Sequence, residues 1–199
     1  MRAIGLTLVM GLATGASSAA EIVSAYTDVD FEKGCSIFSS NEEGGEFANF
    51  VCNGFKGYPV IYYTGDLRES VFYGFPPSGD LAPAWESFGG FNRTGPKIEW
   101  RVEKDGNREI PFATIHRWFV AADPEDSSKE VEVLVIDKVA QLHEKDGCAV
   151  GLVVATGNPK ANETARRIAD EQARSFVCGA DERVVVQGDV PLPDFYRQE

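Results

Sequence analysis

The sequence predicts an α+β domain: a mostly antiparallel sheet of about seven strands carrying one long C-terminal helix, closed by two disulfides. Three observations predict it. Several segments alternate apolar and polar residues, most clearly Lys97 to Glu103. One stretch, Pro159 to Phe176, repeats apolar residues at helical spacing. Four cysteines, an even number, follow an N-terminal leader.

The leader is MRAIGLTLVMGLATGASSAA. Arg2 supplies the positive start, Ile4 to Ala13 the apolar run, and Ser18 and Ala20 the small residues before a cut after Ala20. The run is too short for a permanent span. The expected mature chain is one domain of 179 residues (199 − 20), periplasmic or secreted, with no membrane insertion. With 19 Lys and Arg against 31 Asp and Glu, the net charge of −12 repels phosphate backbones and disfavours nucleic-acid partners.

Glu21 to Glu32 reads as an irregular or edge segment. Between Cys35 and Cys52, apolar ends surround a polar Asn-Glu-Glu-Gly-Gly centre, the pattern of a hairpin. Val60 to Tyr63 and Ser70 to Tyr73 form a second hairpin, with its turn read at Thr64-Gly65-Asp66. Pro76 to Gly95 is rich in Pro and Gly and is the least regular stretch, with a short helix expected within Leu81 to Phe88.

Strands then return. Ile98, Trp100 and Val102 share one face, and Lys97, Glu99 and Arg101 the other. Asp105-Gly106-Asn107 is a turn, and Ile110 to Ala121 a long strand. Glu130 to Leu142 is apolar in both registers, as in a strand covered on both sides. The stretch GCAVGLVVAT reads as a buried strand. The helix has Asn158 as its cap and a stripe of Ala161, Ala165, Ile168, Ala169, Ala173 and Phe176, with its charged residues facing water. Arg183 to Gln187 is a short edge strand, and the tail from residue 188 is expected to fray.

The four cysteines allow three pairings, and local pattern favours two of the bridges. Cys35 and Cys52 close the first hairpin. A strand of about eight residues runs roughly 26 Å, and the following helix roughly 27 Å back, which brings Cys178 to Cys148. Each bridge contributes roughly 3–4 kcal/mol. No C-x-x-C occurs, and neither His116 nor His143 is spaced from a cysteine as a metal ligand would be. No metal or cofactor is expected.

His116 lies within the strand FATIHRWFV, on the face of Phe112, Thr114 and Trp118, where a packed core residue is the first reading and a general base the alternative; His143 sits in a solvated turn. Asp66, Glu69, Glu86 and Glu99 are acids embedded among aromatics, the raw material of a carboxylate pair. Arg68, Glu99, Arg101 and Arg117 interrupt strand-like segments, as cross-strand ion pairs or an anion-binding patch. Ten aromatics from Phe55 to Phe91 suit a core, with Trp85, Phe88 and Phe91 in the irregular stretch as the expected exposed exceptions.

The strings GYPVIYYTGDLRESVFYG, IEWRV, PFATIHRW and NPKANETARRIADEQARSFVC resemble a family of exported bacterial proteins of unknown function. The resemblance spans Cys35 to Cys178 and implies a bacterial envelope location, with no catalytic residues to carry over. The expected function is a non-enzymatic binding domain whose partner is a protein or a small ligand of the envelope. The alternatives are an envelope hydrolase acting on a glycan or ester, with His116 or Glu99 as base, and a small-molecule carrier.

Overall fold

The computed structural model describes residues 20–41, 47–77, 84–123 and 126–198. Along the chain, β1 (Glu21–Asp28) precedes a four-strand run: β2 (Cys35–Ser40), β3 (Phe47–Asn53), β4 (Pro59–Gly65) and β5 (Arg68–Tyr73). The short β6 (Trp85–Phe88) leads to three long strands, β7 (Asn92–Asp105), β8 (Arg108–Asp123) and β9 (Asp126–Lys138). Then come β10 (Ala149–Val154), the helix α1 (Ala161–Gln172), β11 (Val184–Val186) and β12 (Phe195–Gln198).

Six of these strands form one sheet in the order β1-β7-β8-β9-β10-β11, antiparallel except for the last, parallel pair. Strands β2 to β5 form an antiparallel meander, and β12 pairs with β6. Alternation then sets the layers. Ile98, Trp100, Val102, Trp118, Val120, Val133 and Val135 point inward and pack with Val60, Tyr62, Val71 and Tyr73 of the meander. Ile115, Leu134, Ile136, Val150 and Val153 face the other way, onto Ala161, Ala165, Ile168 and Ala169 of α1. The six-stranded sheet is therefore covered on both faces at its centre, which is why β9 is apolar in both registers.

The long helix on a sheet does not form. The described residues are mostly β, 55% strand against 9% helix, and the one α-helix among them has about 12 residues. Its start is trimmed because Asn158 makes a turn instead of a cap: its side-chain oxygen accepts the N–H of Lys160 (3.0 Å) and its carbonyl that of Ala161 (3.2 Å). Past its last residue, Gln172, the chain continues as a turn in which the Phe176 N–H donates to Gln172 (3.1 Å) while Lys138 takes the Phe176 carbonyl (2.8 Å). The sheet grows at the same time. Glu21–Asp28 pairs residue for residue with β7, Trp85–Phe88 is a strand where a helix is expected, and the expected frayed tail supplies its partner.

Two disulfides, Cys35–Cys52 and Cys148–Cys178, fasten the ends of these units. The first joins directly opposed residues of the hairpin, and the second ties the start of β10 to the chain just beyond α1. The meander and the six-stranded sheet are stitched at a corner where Gly74, at φ 96°, bridges Ala140. A Cβ there would lie 2.2 Å from the Ala140 carbonyl oxygen, so only glycine fits. No helix among the described residues is long and apolar enough to cross a membrane. The expected leader and its cut after Ala20 fall on residues 1–19, outside the described ones, and at their boundary.

Candidate functional site

His116 lies on the inward face of β8 and is fully buried. Its Nε2 is 2.7 Å from the Gly95 carbonyl, which can only accept, so Nε2 carries the proton and donates it. Nδ1 then accepts from the Tyr73 hydroxyl at 2.7 Å. Burial pushes the imidazole down to about 4, against the partial restoring effect of Gly95. Both nitrogens are occupied and neither reaches a cleft. His116 is the packed core residue of the first reading, and it locks the meander to the six-stranded sheet.

Glu99 and Arg101 lie on the opposite face of that sheet, and the helix meets them. Arg166 grips Glu99 with Nε–Oε1 at 2.6 Å and Nη2–Oε2 at 3.0 Å. Arg101 grips Asp170 through Nε and Nη2, and Arg174 reaches Glu103 at 2.9 Å. Ser24 of β1 donates to Glu99 (2.5 Å) and accepts from Arg101. Glu99 borders a cleft of about 220 Å³ with Tyr26, Arg117 and Asn162, yet its carboxylate is already taken by Arg166 and Ser24. Arg117 pairs with Glu132. Helix residues expected in water are thus ion-paired to the sheet, and Glu99, Arg101 and Arg117 have structural partners rather than an anion-binding patch.

The four acids embedded among aromatics border four different clefts, so no carboxylate pair forms among them. Glu86 shares a cavity of about 10 Å³ with Asp137 and Tyr73, room for a water and nothing larger. Its Oε2 accepts the N–H of Ala149 (2.8 Å), and Arg197 and Arg183 stand 3.7 and 3.9 Å from Oε1. Burial, reinforced by Glu86, pushes the Asp137 carboxyl well above the usual range. Among the described residues no group of three or more His, Cys, Asp or Glu is placed to hold a metal ion.

Three of the predicted binding residues do come together. Gly65 pairs with Arg68, so β4 and β5 join through a two-residue loop, Asp66-Leu67, a position or two beyond the turn read in the sequence. Both residues have positive φ, 50° and 55°, as the mirror-image turns of hairpins require. Leu67 is 73% exposed at the tip. On one side lies a groove of about 740 Å³ lined by Phe47, Arg68, Trp85 and Tyr196. On the other lies a cleft of about 410 Å³ lined by Arg68, Glu69, Phe91, Arg93 and Phe119. Trp85, Phe91 and Arg68 therefore flank one ridge. Phe88 departs from the expectation: it is fully buried, its ring against Trp118 and Phe195.

Asn92 holds this ridge in place. Its backbone N–H donates to the Leu67 carbonyl (3.0 Å), and its side-chain oxygen accepts the N–H of Glu69 (3.0 Å). Its amide donates to Gly90 (2.8 Å), so the turn, the start of β5 and the loop after β6 move as a unit. Neither Leu67 nor Asn92 stands out in the sequence as functional. The available signal is a leucine in a hairpin turn where Gly or Asn is favoured.

Compared with protein-family models, curated proteins and solved structures, the chain matches none, so no family assignment follows.

Proposed function

We propose that the chain is a non-enzymatic binding domain of the bacterial periplasm or secreted fraction, and that it captures a protein partner through Leu67 and the clefts beside it. The observation that carries this reading is the conformation of Leu67. A left-handed leucine costs ~1–2 kcal/mol where glycine would cost nothing, and this one also holds its apolar side chain in water. A strained, exposed apolar residue on a braced turn is what an inserted anchor needs, because its ordering cost is met before the partner arrives. Trp85, Phe91 and Arg68 are of the types that dominate protein interfaces. The leader and the two disulfides support an exported location.

The test uses chain purified after export, immobilised and exposed to envelope extract from its own source. The reading expects a stoichiometric companion on the wild type that is lost from Leu67→Asp and from Trp85→Ala, with circular dichroism of both variants unchanged. A companion that survives both substitutions overturns it. A ligand released on denaturation and visible by mass spectrometry would favour the carrier instead.

A further inference from the structure

We infer that the cleft between Phe91 and Phe119 is a subsite for an organic cation, a lysine or arginine side chain of the partner, with Glu69 as its counter-ion. This deepens the protein-binding reading and rests on it for the identity of the partner. The cleft holds about 410 Å³, ample for one long side chain. Its two cations are already committed: Arg68 pairs with Asp66, and Arg93 with Glu130 at 2.9 Å. Glu69 has no ion-pair partner among the described residues.

The Glu69 carboxylate is fixed at the cleft wall by the N–H of Thr94, which donates to Oε2 at 2.8 Å. Burial pushes this carboxyl up, against the hydrogen bonds from Thr94 and the charge of Arg93, so an entering cation supplies what the site lacks. The walls suit it as well. The Arg93 guanidinium already occupies a face of the Phe119 ring, 4.1 Å from its centre, so the aromatic wall left to an entering cation is Phe91. Phe91 is 40% exposed on the same cleft. An anion, by contrast, would have to break both arginine pairs and then approach a chain of net charge −12.

The experiment is a titration of the isotope-labelled, exported protein followed by amide chemical shifts. The probes are Nα-acetyl-lysine methylamide, its uncharged norleucine analogue and the anionic glutamate analogue. The lysine probe is expected to give saturable shifts at Glu69, Asn92 and Thr94, and to bind about tenfold more tightly than either other probe. Glu69→Gln, which keeps an acceptor for Thr94, loses that preference. Because the probes are single amino acids, the titration reads this subsite without the partner, which separates its failure from failure of whole-partner capture. Equal binding of the norleucine or glutamate probe, an unchanged preference in Glu69→Gln, or no saturable shift with lysine each overturns the inference.

Discussion

Arg101 and Asp170, 69 residues apart in the chain, meet face to face: Nε to Oδ1 at 2.8 Å and Nη2 to Oδ2 at 2.7 Å. The pair is the middle rung of three. Glu99, Arg101 and Glu103 on β7 meet Arg166 and Asp170 on α1 and Arg174 in the turn that follows it, with the sign alternating along both. The register works because two strand residues advance ~6.6 Å and four helix residues ~6 Å. Small alanines bring the helix close enough for the charges to touch.

The rungs differ in burial, and their removal should differ accordingly. Asp170→Ala removes the bidentate partner of the Arg101 guanidinium, whose side chain is only 9% exposed, and leaves it only Ser24 and Glu99, the latter 3.9 Å away. A loss of about 3 kcal/mol is expected in urea unfolding. Arg174→Ala, at a half-exposed rung, should cost under ~1.5 kcal/mol, including its stacking on Phe112. Equal losses for the two would show that burial does not set the strength of this interface.

The buried imidazole makes stability depend on pH in a defined direction. His116 titrates at about 4 in the folded protein against 6.5 when unfolded. The unfolded chain therefore takes up the proton first as pH falls, and stability is lost between pH ~6.5 and ~4. Between pH 7 and 5 the loss from this residue should be about 2 kcal/mol. Glu69, Glu86 and Asp137, all raised by burial, act with the opposite sign. The clean quantity is thus the difference between wild type and His116→Gln, which should shrink on acidification by that amount. A difference independent of pH would mean that the imidazole is solvated.

The two disulfides should not be equivalent. Cys148–Cys178 closes 30 residues and Cys35–Cys52 closes 17. Loop entropy assigns the pairs about 4 and about 3 kcal/mol in turn. Replacing Cys148 and Cys178 by alanine should also speed hydrogen exchange in α1 selectively, because the chain after the helix is no longer held to β10. Replacing Cys35 and Cys52 should leave α1 exchange unchanged relative to global stability. The reverse pattern would contradict the assigned roles.

Legibility in the sequence followed the range of the interactions. Ile98-Trp100-Val102 announce their strand because the periodicity is local, and both disulfides close adjacent segments. Trp85–Phe88 and Phe195–Gln198 are strands because of each other, 107 residues apart at their nearest ends, so no local pattern marks them, whereas Glu21–Asp28 is the edge strand that its reading allowed. The helix shows the reverse problem. Its stripe is genuine, but Asn158 turns the chain before its start and Lys138 takes the Phe176 carbonyl past its end. Glu99 and Arg101 are conspicuous as charges within a strand, yet their partners on α1 are 67 and 69 residues away. Leu67 is hidden by the turn itself: reading the reversal at Thr64-Gly65-Asp66 leaves the leucine between the turn and the strand from Ser70, with nothing to mark it as the tip.

Leu67→Gly tests the central claim most directly, because strain and binding pull in opposite directions. Relief of the left-handed leucine should leave the unfolding free energy unchanged or raise it by up to ~1 kcal/mol. The same variant, immobilised beside the wild type in envelope extract, should fail to retain the wild-type companion. A glycine variant that is no less stable and captures nothing is the predicted result. Retention of the same companion by the glycine variant, or no companion on the wild type, would contradict the account.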